Sequence, residues 1–400
     1  MYLVIVAAIG TFLRMKFVYP VELLNFENTL HSHSHFAILG WLYNALYIAI
    51  VYIYVKDTAK QKKYNILFWI TQVSIVGMLF TFAWQGYAAY SITFSTMHIF
   101  CSYAFIFFVL KDIAVAKHET LSLRFIYGAL FFLFLSSLGP WGLVVVMLQG
   151  SSGTDLYKQV IYFYLHFQYN GWFIFALIGL WLKYFESKGA KFNEKSASAA
   201  FNILFYSNVA AYTLSLLGFK LPAFIYWLAI VSAFAQLVGL RYLYKLLFAN
   251  EVKVFHDKKN IVHQLFRFSF LALFVKYLMQ LISALPGIGD AAFLSREVTI
   301  GFIHLVMIGV ISAGMLGWFA GFDLINSANK WFKYGIYLFL ASFVLSEVLL
   351  FYPAIVIWFK ISGISNYAVY MFVLSCGMLA GTIVVFIGCL SYPRRRVSGN

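Results

Sequence analysis

Charge is what this chain has little of. Only 11% of its 400 residues are Asp, Glu, Lys or Arg, where a soluble domain carries about 25%. With 63% hydrophobic residues and a mean hydropathy of +0.84, water is excluded as the solvent for most of the surface. No stretch between the apolar runs is long enough for a soluble domain of useful size. Cysteine is nearly missing: Cys101, Cys376 and Cys389 all fall inside apolar runs. They read as reduced core residues, since there is no CxxC, no CxxCH for covalent haem attachment and no disulfide framework. A cleavable leader is not expected either, because Arg14 and Lys16 follow the first apolar run instead of preceding it. Acidic residues number 14 against 29 basic ones, a net charge of +15. Those basic residues sit in short loops, where they act as topology signals, so nucleic acid is not an expected partner.

What is present is one apolar run after another. A helix needs roughly 20 apolar residues to cross a hydrocarbon core of roughly 30 Å. Hydrophobic length and breaks at Gly, Pro and charge predict spans at 2–19, 33–55, 64–88, 91–114, 123–148, 158–184, 198–218, 222–247, 261–285, 297–321, 332–357 and 367–391. This is an all-α fold, a single transmembrane domain over 1–400 whose first partner is the lipid bilayer. One set of alternate loops collects Lys56 to Lys63, Lys111 to Arg124, Lys183 to Lys195, Arg241 to Lys259, Lys330, Lys333 and Arg394 to Arg396. The opposite set has few. Cytoplasmic termini follow from the positive-inside rule, and every even-numbered span then runs from outside to inside.

That direction locates the histidines. Six of nine lie in or at the start of even spans: His31, His33 and His35 in the second, His98 in the fourth, His166 in the sixth and His304 in the tenth. His118, His256 and His263 fall in or near cytoplasmic loops and are expected to be solvated. His98, His166 and His304 each stand seven or eight residues past Ser91, Lys158 and Arg296, which at 1.5 Å per residue is roughly 11–12 Å below the outer face. Each alone reads as well as a neutral histidine donating one hydrogen bond to a neighbouring helix. Four helices carrying imidazole at one depth point instead to haem iron, copper or zinc. Within His31-Ser32-His33-Ser34-His35, a helical period puts His31 and His35 on one face and turns His33 away.

At this point the residues resemble a known family, the catalytic subunit of haem-copper oxidases, in its high-affinity oxidase and nitric oxide reductase branch. Gly301-Phe302-Ile303-His304-Leu305 with Gly309 downstream is similar to that family's Gly-His-x-His-Leu motif. The resemblance implies one low-spin haem b held by His304 and a histidine of the second helix, with His33 matching best and His31 as its rival. His166, in Tyr164-Leu165-His166-Phe167-Gln168-Tyr169-Asn170, resembles the first copper ligand. The departures are equally definite. Phe302 stands where the family has its high-spin haem ligand, and no histidine occurs between Ser198 and Gly218, where two further copper ligands belong. The usual oxygen-reducing centre therefore cannot assemble. A second site, for copper or another transition metal, would have to draw on His98 and His166 with His31 or His35.

Haem propionates need cations, and Lys276, Arg296, Arg14 and Lys16 lie in the outer half; for Arg14, Lys16 and Arg296 ordinary interfacial snorkelling is the simpler reading, while Lys276 lies deeper. Glu347, the one carboxylate well inside a span, is expected first to pair with Lys276. No carboxylate lies in the inner half, which argues against proton pumping. The tryptophans Trp41, Trp84, Trp172 and Trp318 read as interfacial or lipid-facing. The resemblance implies electron transfer, or a divergent respiratory or nitrogen-oxide reaction, in a bacterial inner membrane, with a partner subunit or small cytochrome. Two other classes stay open: histidine-based copper or zinc handling without haem, and a cofactor-free accessory subunit.

Overall fold

A computed structural model describes residues 1–113, 120–219, 221–248, 260–285, 295–360 and 362–390, without the side chains of 357–359. His118 and His256 lie outside the described residues. No strand occurs among those described. The backbone runs as helical rods: α1 (Tyr2–Met15), α2 (Phe26–Tyr54), α3 (Thr58–Gln85), α4 (Ala89–Ile113), α5 (Leu121–Leu148), α6 (155–187), α7 (194–216), α8 (Ala223–Phe248), α9 (Ile261–Ser283), α10 (Arg296–Gly321), α11 (Lys330–Phe359) and α12 (Tyr367–Leu390). Among the described residues nine of these are long and apolar enough to cross a membrane; α1 is apolar but short, and α6 and α7 do not meet both criteria. Large apolar side chains such as Trp69, Phe80 and Trp227 point outward, each more than two-thirds exposed. Only lipid can cover such a surface in a stable protein. The chain is thus an integral, polytopic helical membrane protein.

Polar caps set where the helices begin. Asn25, Asp57, Thr120, Thr154, Asn193, Asn260, Ser295 and Asn329 each accept a backbone N–H of the first turn that follows. Such a side chain satisfies one of the donors that a helix start leaves orphaned. α2 therefore starts at Phe26, seven residues before the expected span, and the whole histidine run lies inside it.

Packing is hierarchical. α3 lies on α4, α5 on α6, α7 on α8, α9 on α10 and α11 on α12. The last pair is drawn together by Gly335, Gly381 and Gly388, where an added Cβ would come within 2.6 Å of the partner helix's backbone. Small residues let membrane helices approach this closely. The inner members of this packing are α2, α6 and α10, which touch one another. Of the candidate spans α2 and α10 are the most buried, at 72% and 61% of their most apolar window against 28–44% for the others.

Each of these three inner helices changes its winding directly after a histidine. Phe36–Leu42 follows His35, Phe167–Phe173 follows His166 and Leu305–Ser312 follows His304, and all three are π-helical. The wider turn is visible in bonds from Tyr43 N–H to the Ile38 carbonyl and from Ala313 N–H to that of Ile308. The π segment of α10 touches those of both α2 and α6. A π turn misaligns carbonyls that lipid cannot satisfy, and serines repair it. Ser312 Oγ donates to the Met307 carbonyl at 2.8 Å, and Ser269 Oγ of α9 donates to that of Val310. Trp41 Nε1 of α2 then donates to Ser312 Oγ at 2.8 Å, tying the two inner helices together.

Candidate haem-binding site

The run in α2 divides its histidines between two environments. His31 and His35 face α3 and the following turn. The His35 ring stacks on Phe82 with centroids 4.1 Å apart, and the His31 ring meets the edge of Tyr87 at 4.7 Å. His33 turns the other way, onto α1, where the Cε1 of its ring lies 3.0 Å from the point at which a Cβ on Gly10 would sit. The alternation expected from a helical period holds for the ring contacts, although His31 also reaches the cavity on the His33 side.

On that second side α1, α2, α10, α11 and α12 enclose a cavity of about 590 Å³. His33 and His304 both line it, as do His31, Arg14, Arg296, Glu297 and Tyr169. Most of the remaining wall is apolar, including Val6, Ile38, Met307 and Met378. Its volume lies within the range of about 300–1,000 Å³ usual for small-molecule and cofactor sites. Both imidazoles remain half-buried where His98 and His166 are closely packed, at 3% and 2% exposure. His33 Nδ1 has no hydrogen-bond partner, and His304 makes no hydrogen bond among the described residues, its nearest polar neighbour being Glu347 Oε1 at 3.9 Å. A pair of imidazoles with uncommitted nitrogens at one apolar cavity is the donor set for a low-spin haem iron.

The cationic end of the cavity is made by α1 and α10. Arg14 closes the last turn of α1, and Arg296 opens α10, its guanidinium over the Phe26 ring at 5.6 Å. Lys16 turns away and donates to the Leu24 carbonyl. Both arginines thus line a cavity where ordinary interfacial placement had been the simpler expectation.

The other expected residues are placed elsewhere. Lys276 is fully buried in α9, does not line the cavity, and holds its Nζ 4.0 Å from the centroid of the Tyr277 ring without a hydrogen-bond partner. Its expected ion pair with Glu347 is not formed; both carboxylate oxygens of Glu347 lack a hydrogen bond, and its nearest basic group is His304. His166 is satisfied within the core: Nε2 donates to the Asn208 carbonyl at 2.9 Å, while Nδ1 accepts from Asn170 Nδ2 at 3.1 Å. His35 is similarly engaged, Nδ1 with the His31 carbonyl at 3.0 Å and Nε2 with the Tyr87 hydroxyl at 3.2 Å. His98 has a long contact from Ser102 at 3.5 Å, keeps Nε2 buried without a hydrogen-bond partner and packs edge-on to Tyr43. Among the described residues no group of three or more His, Cys, Asp or Glu converges on a metal position. His98, His166, His31 and His35 are thus not gathered into such a group. His263 is a further correction, 7% exposed in the first turn of α9 instead of solvated. So are Trp172 and Trp318, which are wholly buried, and Trp41, which lines the cavity; of the four tryptophans only Trp84 faces outward. All three cysteines are free, as expected.

Sequence reading missed three things that build this site: the π turns, the space that Gly10 leaves for His33, and Trp41 with Ser312 behind it. The first carried no composition signal. The other two depend on which helices become neighbours. No family model matches the chain and no curated protein matches it, so what can be said of its function stands on the residues and on this geometry.

Proposed function

We propose that the protein is a b-type haem protein of the membrane, related in plan to the catalytic subunit of haem-copper oxidases, that carries electrons through one low-spin haem. The observation that carries this reading is the meeting of His33, His304, Arg14 and Arg296 at a single, otherwise largely apolar cavity. His33 from α2 and His304 from α10 would hold the iron from opposite sides. Arg14 and Arg296 would pair with the propionates. Haem in this position would supply a one-electron couple. The chain's own contribution is to exclude water with apolar walls, to hold both imidazoles at fixed angles on the rigid inner helices, and to keep compensating positive charge at one end of the pocket.

Two imidazoles on the iron would leave it no open coordination position for a small substrate. Phe302 cannot supply a further ligand, and His166 is held within the core by Asn170 and Asn208. Electron transfer is therefore favoured over turnover of oxygen or a nitrogen oxide. A redox partner, either a subunit or a small cytochrome, would deliver or receive the electron. We place the haem in the outer half of a twelve-span bundle with cytoplasmic termini in a bacterial inner membrane, on the strength of the basic loops.

The test is purification after expression with ample haem, followed by dithionite-reduced spectra and quantification as the pyridine haemochrome. One b-type haem per chain is expected, lost in His33→Ala and in His304→Ala. Colourless protein, or a haem retained in both variants, refutes the reading; bound copper or zinc in colourless protein would favour metal handling instead.

A further inference from the structure

Glu347 is the one buried carboxylate of α11, and the site as described so far gives it no task. Two glycines bring α11 hard against α10 on either side of His304. A Cβ on Gly301 would lie 3.0 Å from Phe351 Cζ, and one on Gly309 would lie 3.1 Å from Phe343 Cζ. Glu347 is four residues from each of those phenylalanines, so the same close approach that packs their rings delivers its carboxylate behind the His304 ring. Glu347 Oε1 lies 3.9 Å from His304 Nδ1, and the Glu347 side chain is 10% exposed. Neither of its oxygens has a hydrogen-bond partner. A carboxylate left without partners inside a membrane is costly, and the closest group able to share a proton with it is this imidazole.

An iron-bound imidazole has one nitrogen on the metal and presents its other N–H to the protein. The acceptor of that N–H fixes the tautomer and the ring plane and raises the basicity of the ligand. Charge-assisted N–H to carboxylate bonds run at about 2.7–2.9 Å, so roughly 1 Å of side-chain adjustment separates the present contact from a bond.

We propose that Glu347 is a positioning residue for His304, accepting the Nδ1 hydrogen bond, presenting Nε2 to the cavity and lowering the reduction potential of the haem. This rests on the haem reading above. A negative acceptor strengthens the imidazole's donation to iron and favours the ferric state. Arg14, which lines the cavity, acts in the opposite sense, so the potential reflects the balance of the two.

The experiment is equilibrium redox titration of full-length wild type and Glu347→Gln in detergent, with low-spin ferric electron paramagnetic resonance of both. Glu347→Gln keeps the shape and removes the charge. The expected result is full haem content in both proteins, with the variant's potential raised by at least the equivalent of a tenfold change in the ferric-to-ferrous ratio, about 59 mV for one electron. Its g-values should also move toward those of two neutral imidazoles. Equal potentials and equal g-values, with haem present in both, overturn this inference and leave the haem reading standing. Wild type without haem overturns both. If Glu347→Gln does not fold, the wild-type g-values decide: values of two neutral imidazoles overturn the proposal, and a shift toward imidazolate character supports it.

Discussion

Gly10 offers the sharpest test of the pocket because it touches a proposed ligand without being one. A Cβ there would stand 3.0 Å from His33 Cε1, where carbon atoms rest at about 3.5–4.0 Å. The shortfall is at least about 0.5 Å, and the ring must move by that much or α1 must move back. Gly10→Ala gives the smaller displacement, which the ring can absorb by sliding toward the cavity. Gly10→Val adds two methyls on the same side and cannot be absorbed that way. Overpacking of this kind costs about 1–3 kcal/mol, or about 5- to 150-fold in affinity. Alanine should fall near the lower bound and valine near the upper. The assay is haemin titration of apoprotein followed at the Soret band, with thermal unfolding of the apoprotein as the control for general damage. In a His33→Gly background, added imidazole should restore haem to the Gly10 protein but not to its Gly10→Val counterpart. Wild-type haem affinity in Gly10→Val would refute the placement of His33, and so would an affinity loss matched by an equal loss of apoprotein stability.

Arg14→Gln and Arg296→Gln should each weaken haem binding by about 5- to 30-fold, the worth of one partly screened charge-assisted bond at about 1–2 kcal/mol; unchanged titrations in both would remove the propionate role. His98→Ala should leave haem content unchanged, as should His166→Ala. The second should lower stability by about 1–3 kcal/mol, because Asn170 and the Asn208 carbonyl lose their partner in the core; loss of haem from either would reopen a second-site role. Asp112 accepts from Lys63 at 2.7 Å and Tyr64 at 2.9 Å and sits 3.3 Å from Lys60, with the lysines about a third exposed. Asp112→Ala should therefore cost about 2–3 kcal/mol in detergent unfolding, and most of that cost should disappear in a Tyr64→Phe background, since the penalty is the stranded buried hydroxyl.

The sequence spoke clearly wherever lipid imposes a simple rule. Apolar length marked the nine rods that, among the described residues, are long and apolar enough to cross a membrane, and the two-residue alternation separated His33 from His35, while His31 reaches both sides. It spoke less clearly at helix starts, where hydrophobic length alone began α2 at 33. Asn25, read as a cap, would have begun it at 26 and placed the histidines inside the helix. Depth proved a poor guide to company. His98 and His166 share a level with His304, yet neither lines the cavity, because depth says nothing about rotation around the helix axis. Lys276 shows the same failure: it lies at a suitable depth on α9 but faces Tyr277 and not the cavity. Arg14 at the end of a short helix read as ordinary snorkelling, and only the fold of α1 against α2 and α12 made it a cavity residue.

The π turns connect these observations. A single wide turn rotates everything beyond it relative to everything before it, so a helix can present one face to a ligand on its first half and another to its neighbours on its second. In α2 and α10 the turn begins just beyond the proposed ligands, and the segment it rotates is the one through which Trp41 meets Ser312 and the two helices touch. The ligands can then stand apart across a cavity while the helices close beneath it. α6 has the same turn after His166, but there the ring is bonded on both nitrogens. The three inner helices therefore share one backbone device, and what separates the cavity from the closed core is what fills the space beside each imidazole: Gly10 leaves room at His33, whereas Asn170 and Asn208 take it at His166.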